Sequence, residues 1–270
     1  MKKCSRRDFL VTSTLAVSGM ACVTTPAATH KKERMMGAQS YSFRKFSFED
    51  SLKCLKDLGT NVMEFCAVHF PPDADDPNFA NVKAAIEQAG VVVPCYGVEG
   101  FSADEAANRK KFEFGKALGI EVLTANPTLD SFDNLEKLTE EFGIKIAIHN
   151  HGPGADYDGV QDTLDAVKGR CPLIGACVDT GHAIRSGEKP HAVIEALGDR
   201  VISLHLKDWI TGGEEQILGK GDMDLVAVAK ALKAINFDGP IVMEYEESPD
   251  NPVPDMKEGW DNWQQAVAQA

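Results

Sequence analysis

Apolar and polar residues follow two rhythms along this chain, and the two rhythms take turns. Short runs rich in apolar and β-branched residues recur at Met36 to Tyr41, Asn61 to Cys66, Val91 to Tyr96, Ile120 to Ala125, Ile144 to His149, Leu173 to Val178, Val201 to Leu206 and Pro240 to Tyr245. Each has the length and composition of a buried strand. Between them apolar residues return every three or four positions, as in "FEDSLKCLKDLG", "NFANVKAAIEQAG" and "HAVIEALG". That is the spacing of a helix with one buried stripe. Ser47 with Asp50, and Ser102 with Glu105, have capping-box spacing for helix starts. Gly59, Gly90, Gly119, Gly143, Gly169 and Gly198 close helical stretches just before the next strand, where a left-handed C-terminal turn calls for glycine. Eight strand-helix units in succession predict an α/β fold, a single closed (β/α)8 TIM barrel over residues 35–270. A doubly wound open sheet gives no reason for eight units, and no G-x-G-x-x-G follows the first strand.

Residues 1–30 break the pattern. A basic start leads into Ser5-Arg6-Arg7-Asp8-Phe9-Leu10, then an apolar run to about Met20 and a Thr/Pro/Ala tail. This resembles a twin-arginine export signal, so a periplasmic or extracytoplasmic location is expected. The apolar run is shorter than the roughly 20 residues that a membrane span needs, and no later run approaches that length. Gly19-Met20-Ala21-Cys22 is a poor lipid-attachment site because Gly19 stands where Leu is usual, and cleavage near Ala27 is the alternative.

Composition narrows the partners. Of the 270 residues 43% are apolar, enough for a full core, and no Pro/Ser/Gly-rich linker divides the chain. The formal charge of −13 repels phosphate backbones and argues against nucleic acid. Cys54, Cys66, Cys95, Cys171 and Cys177 lie mostly in or beside apolar runs. They read as small buried hydrophobes, not as a disulfide framework.

In a barrel of this kind chemistry gathers at the C-terminal strand ends, and residues two apart on one strand face the same way. The fifth strand then carries His149 and His151 inward, the sixth ends in Asp179 with His182 a turn later, the seventh carries His205 and Lys207, and the eighth Glu244 and Glu246. A lone histidine or glutamate at a strand end is usually a loop or solvated residue. Asp179, His205 and Glu244 on three successive ends are a different matter, because buried charges need partners and one divalent cation serves all three. Mixed imidazole and carboxylate ligation suits manganese, cobalt, zinc or iron(II) better than calcium.

The order Asp179-Thr-Gly-His182, His205-Leu-Lys207-Asp208, Gly219-Lys-Gly221-Asp222-Met-Asp224 and Met243-Glu244 resembles the sugar phosphate isomerase/epimerase family, with its xylose isomerase-like barrel. The resemblance runs from about Met36 to the end of the chain. It implies one divalent metal, manganese first, with cobalt, zinc, iron or magnesium as alternatives. The family holds it through a glutamate on strand five, an aspartate on strand six, a histidine on strand seven and a glutamate on strand eight. The last three correspond to Asp179, His205 and Glu244. The strand-five glutamate is replaced by His149, followed by the family's Asn150-His151.

In the family's ketose epimerases the two glutamates also exchange a proton with the substrate carbon from opposite faces. With His149 in place one carboxylate of that pair is gone, and an imidazole bound to metal has no lone pair for a proton. His149 is therefore expected as the fourth ligand, with Glu244, His182 or His151 as the base. The resemblance implies a sugar isomerase or epimerase working through an enediolate. A lyase or dehydratase expelling a β-substituent from a keto-sugar or inosose is the alternative, with support from the family's inosose dehydratase-like members.

The remaining rim points to a small carbohydrate. Lys207 is a candidate for holding a hydroxyl, carboxylate or phosphate. Glu64, His69, Glu99 and Asn126 are candidates for reading hydroxyls, and Trp209, Tyr41 and Phe43 for packing on a sugar face. No Gly-rich phosphate cradle is visible, which favours a free or glycosidic keto-sugar or a cyclitol. Trp260 and Trp263 fit either internal packing or a subunit contact in a homo-oligomer. Two further classes stay open: a multi-metal endonuclease of the same barrel superfamily, and a non-catalytic secreted binding protein. Metal content separates them, with several ions expected for the nuclease, one for the isomerase or lyase and none for the binding protein.

Overall fold

A computed structural model describes residues 36–270, so the expected export signal lies outside the described residues. Eight parallel strands form one sheet: β1 (Met36–Gln39), β2 (Met63–Glu64), β3 (Cys95–Phe101), β4 (Val122–Pro127), β5 (Lys145–His149), β6 (Ile174–Asp179), β7 (Val201–Leu206) and β10 (Ile241–Met243). Their order is β2-β1-β10-β7-β6-β5-β4-β3. Parallel bridges at Val62 with Val92 and at Phe65 with Tyr96 join the two outermost strands, and this seam closes the ring into the expected TIM barrel. A short antiparallel pair, β8 (Asp208–Trp209) with β9 (Glu215–Gln216), stands after β7.

Helices surround the sheet: α1 (Phe48–Leu58), α2 (Phe79–Gln88), α3 (Glu105–Leu118), α4 (Phe132–Phe142), α5 (Val160–Val167), α6 (Thr180–Arg185), α7 (Pro190–Leu197), α8 (Leu225–Ala234) and α9 (Val253–Gln269). Ser47 caps α1 through the Asp50 amide, as its spacing predicts. For α3 the cap is Asp104, which accepts from the Ala106 and Ala107 amides, while Ser102 braces Asp104. Gly59, Gly119 and Gly143 end α1, α3 and α4 with φ between 68° and 92°, a region that only glycine enters cheaply. Trp260 and Trp263 of α9 are buried in the chain's own core, so packing accounts for both.

Two clusters fill the molecule. The large one lies between strands and helices; a small separate one joins Cys95, Val122, Ala147, Cys177 and Ile202 from β3 to β7. Ala147 and Cys177 stand two residues before His149 and Asp179 on the same strands, and side chains two apart share a face. The small cluster is therefore the barrel's apolar floor, and the polar group described below stands directly above it. The five cysteines among the described residues are free thiols, four of them buried.

The third strand departs from its expected place, Val91 to Tyr96. Pro94 removes a ladder donor, and pairing with β4 begins at Cys95 and runs to Phe101 with a register shift between Tyr96 and Glu99.

The loop after β7 depends on Asp208. Its carboxylate accepts from the Trp209 amide at 2.9 Å, Gly219 at 2.8 Å, Gly221 at 2.9 Å and Met223 at 3.1 Å. A Cβ on Gly221 would lie 2.3 Å from Asp208 Oδ1, so the Gly-Lys-Gly-Asp stretch is the backbone partner of the Asp that follows Lys207. Replacing Asp208 by Ala strips an acceptor from four amides and is expected to lower stability by about 3 kcal/mol. Thermal unfolding that is unchanged from the parent chain would contradict this.

Candidate metal centre

Four side chains converge at the C-terminal strand ends. His149 ends β5, Asp179 ends β6, His205 is next to last on β7, and Glu244 follows β10. One ligand atom from each lies within 4.8 Å of all the others, and all four residues are buried. His149 Nε2 is 3.2 Å from His205 Nδ1 and 3.5 Å from Asp179 Oδ2, and His205 Nδ1 is 3.0 Å from Glu244 Oε2. These three spacings are short enough for the four residues to hold one divalent ion with bonds of about 2.1 Å. The sequence-expected quartet, with His149 in the glutamate's place, is thus brought together.

The donor atoms fit a cation on a separate ground. Asp179 Oδ2 is buried and has no hydrogen-bond partner, while Oδ1 accepts from the His182 amide at 2.8 Å and caps α6. A buried carboxylate oxygen without a partner is costly, and a divalent ion at this point would satisfy it.

Local sequence explains the placement. Asn150 donates to the Asp179 carbonyl at 3.0 Å and accepts from the Asp179 amide at 2.8 Å, tying the ends of β5 and β6 together. Thr180 donates to the Lys207 carbonyl at 2.7 Å and accepts from the Lys207 amide at 2.9 Å, which ties α6 to the end of β7. A Cβ on Gly181 would lie 2.5 Å from Lys207 Cγ, so this glycine makes room for the lysine stem. Each residue of Asp179-Thr-Gly-His182 therefore has a task of its own.

Glu64 has a different place from the sugar-reading one expected of it. It is fully buried, and its Oε2 lies 3.0 Å from His205 Nε2. A carboxylate on the far nitrogen fixes the ring and its tautomer and turns Nδ1 toward the quartet. Burial works against a charged His205, yet Cys177, Glu64 and Glu244 hold it well above its usual range when no metal competes.

Lys207 is 1% exposed. Its ammonium is 2.5 Å from Glu246 Oε1, 3.7 Å from Glu244 Oε1 and 3.8 Å from Asp179 Oδ2. Burial alone would lower its pKa; the carboxylates of Glu244, Asp179 and Glu246 push it up instead. Burial would raise the Glu244 carboxyl, but Lys207 and His205 bring it down to about 2. Burial is likewise outweighed at Asp179, which His182, Lys207 and His149 hold well below the usual carboxylate range.

His151 and His182 join the group as a second tier. Their rings stand 4.6 Å and 5.7 Å from that of His149. Burial lowers both to about 4 against the pull of the Asp179 carboxylate, so both are neutral imidazoles at neutral pH.

Three other expected substrate contacts are engaged elsewhere. Glu99, shifted by the irregularity in β3, pairs with Lys111 at 2.8 Å. His69 Nδ1 is 3.2 Å from the Ser40 hydroxyl. Trp209 stacks against the Arg185 guanidinium, 4.8 Å from its ring centre. Asn126 is exposed at the end of β4. Tyr41 carries the Arg44 guanidinium 5.0 Å from its ring centre, and Phe43 is fully buried in the core. Glu215 on β9 went unforeseen: burial raises its carboxyl to about 8 against the pull of Lys207, and it accepts from the Glu246 amide at 3.1 Å.

The fold agrees with known proteins. A family model described as a xylose isomerase-like TIM barrel matches residues 52–266, and the chain belongs to that family. An inosose dehydratase of Clostridium beijerinckii is 29% identical over 139 residues, which take in 44% of this chain and 46% of that protein. The chain thus aligns with about half the length of the curated relatives it matches. A solved structure from Parabacteroides distasonis is 27% identical, with a TM-score of 0.68 over 86% of this chain and 98% of that one. The 3-keto-D-glucoside 4-epimerase of E. coli, at 16% identity and a TM-score of 0.68 over 86% of this chain and all of that one, shares the fold.

Two substitutions test the centre. His149→Ala is expected to lose bound divalent metal, measured by elemental analysis after desalting; unchanged content would remove His149 from the ligand set. Glu64→Gln is expected to weaken metal binding about 10- to 100-fold, read by titration calorimetry, while equal affinity would deny Glu64 its orienting role.

Proposed function

We propose that this protein is a divalent-metal-dependent enzyme that withdraws the proton beside the carbonyl of a keto-sugar or keto-cyclitol, and that it is a sugar isomerase. The single observation that carries this is the buried quartet of His149, Asp179, His205 and Glu244 at the barrel mouth, with Asp179 Oδ2 accepting no hydrogen bond. A divalent ion there, manganese first on the family resemblance, would supply electrophilic polarisation of the substrate carbonyl.

The chain's own groups do the rest. Glu244 turns Oε2 to His205 and keeps Oε1, 3.7 Å from Lys207, as the oxygen to take the proton. With His149 on the opposite strand end, no second carboxylate faces it across the quartet. Inversion between two opposed bases is disfavoured by that arrangement. Moving a proton between neighbouring carbons of an enediolate needs one base only, which is isomerisation. The charge of Lys207 is already shared among Glu246, Glu244 and Asp179, which argues for an uncharged substrate over a phosphorylated one. The Arg6-Arg7 leader supports action outside the cytoplasm.

Dehydration is the second reading, favoured by one observation. Elimination also needs a single base, which can pass the proton on to the departing hydroxyl, together with a hydrogen-bond donor that holds this hydroxyl, and the neutral imidazoles of His151 and His182 stand beside the quartet. The inosose dehydratase relatives point the same way.

Incubating the manganese-loaded protein with keto-sugars and inososes in heavy water, followed by NMR, is expected to place deuterium beside the carbonyl. Glu244→Gln should slow this by about 100-fold or more. A product that keeps all its substituents marks isomerisation, and an unsaturated one marks dehydration. Absence of deuterium from every substrate would overturn the proposal.

A further inference from the structure

His182 has a neighbour that decides what it can do. Nη1 of Arg185, one turn along α6, lies 2.9 Å from His182 Nδ1. A guanidinium has donors only and keeps its charge at any ordinary pH. The bond can therefore form only if Nδ1 of His182 is the bare, accepting nitrogen. In a neutral ring the proton must then sit on Nε2.

Arg185 is itself held by parts of the mouth that are distant in sequence. On one side the Trp209 ring centre is 4.8 Å from its guanidinium carbon, and the Trp209 indole is fixed by its bond to the Gly213 carbonyl at 2.9 Å. On the other side lies Gly152. A Cβ there would come within 2.7 Å of the guanidinium carbon and 3.0 Å of Nε and Nη1. The loop after β5, the helix after β6 and the hairpin after β7 thus meet on one arginine. The arginine occupies a slot between a flat ring and a bare backbone, which suits a planar cation.

We propose that Arg185 is a positioning residue that locks His182 in the tautomer carrying its proton on Nε2, so that His182 meets the substrate as a hydrogen-bond donor and not as a base. This rests on the function proposed above only for the identity of the acceptor, an oxygen of the bound keto-sugar or keto-cyclitol. The His182 ring stands 5.7 Å from that of His149 and 5.4 Å from that of His151, so the donor belongs to the same mouth as the quartet. In isomerisation it would hold a substrate oxygen in register; in dehydration it would hydrogen-bond the departing hydroxyl through Nε2–H while that hydroxyl leaves as water with the proton Glu244 took from carbon, so His182 and Glu244 both end as they began. Of the bases expected from the sequence, His182 is thereby withdrawn, and Glu244 gains weight.

Long-range proton-nitrogen NMR of the imidazoles, in protein labelled with ¹⁵N and loaded with diamagnetic zinc, reads the tautomer directly. His182→Gln assigns the signal. The parent chain is expected to show His182 with a bare Nδ1 and a protonated Nε2. Arg185 is exposed at the surface, so Arg185→Met should fold, and it is expected to give mixed tautomers or Nδ1–H. Arg185→Lys, still a pure donor, is expected to restore part of the parent pattern. A parent spectrum with Nδ1–H, or identical tautomers in parent and Arg185→Met, overturns the proposal. The spectrum is read with and without zinc and with no substrate, so failure of the proposed reaction leaves this result standing. On any substrate that exchanges deuterium, Arg185→Met should lower kcat by about tenfold or more with a smaller change in KM; an unchanged kcat alongside a shifted tautomer overturns the donor role.

Discussion

Buried negative charge at one end of the barrel is the constraint on which the site depends. Glu64, Asp179 and Glu244 are each less than a tenth exposed, and the ammonium that faces Asp179 and Glu244, Lys207, is equally buried. Charge of this kind is tolerated only when it is paired. Most of the mouth's local structure follows from that need. His205 stands between Glu64 and Glu244, Asp179 spends one oxygen on the start of α6, and Lys207 runs past Gly181 to reach three carboxylates. What is left over is one carboxylate oxygen beside two imidazole nitrogens and a second carboxylate, the donor set of a divalent ion.

Asn150 and Thr180 show how the fold keeps that set in place. Each is a short polar side chain that both donates to and accepts from the backbone of the neighbouring strand end. Such paired bonds fix the relative height of adjacent strands, so two ligands on different strands keep their separation without the ion. Asp208 does the same for the loop beyond Lys207. The apolar floor of Cys95, Val122, Ala147, Cys177 and Ile202 closes the barrel beneath and keeps water from screening the charges above.

Much of this was legible in the chain. The β5 and β6 runs end on His149 and Asp179 and the β7 run carries His205 next to last, and the period of two along a strand was enough to aim them. β3 was misplaced because Pro94 and the register shift near Glu99 break the alternation on which the reading relied. Glu64 looked like a rim residue, since a single glutamate after an apolar pair carries no sign that a histidine 141 positions later will be its partner. Glu99 is neutralised from a helix by Lys111, a pairing across the strand-helix packing that no local pattern reveals. The Arg185 contacts join Gly152, His182 and Trp209 from the loop after β5, the helix after β6 and the hairpin after β7, and only the closed barrel brings these together.

The histidine at position 149 is what sets this mouth apart from a mouth with two opposed carboxylates. Under the proposed function it would supply a ligand nitrogen while removing a proton carrier, which would concentrate base chemistry on Glu244 and leave His182 as a donor. The central claim is that His149, Asp179, His205 and Glu244 hold one divalent ion together. The most direct measurement is a crystal structure of the manganese-soaked protein with data collected at the manganese absorption edge. A single anomalous peak bonded to His149 Nε2, Asp179 Oδ2, His205 Nδ1 and Glu244 Oε2 is the predicted result. A peak that excludes His149, or no peak at the barrel mouth, would contradict it.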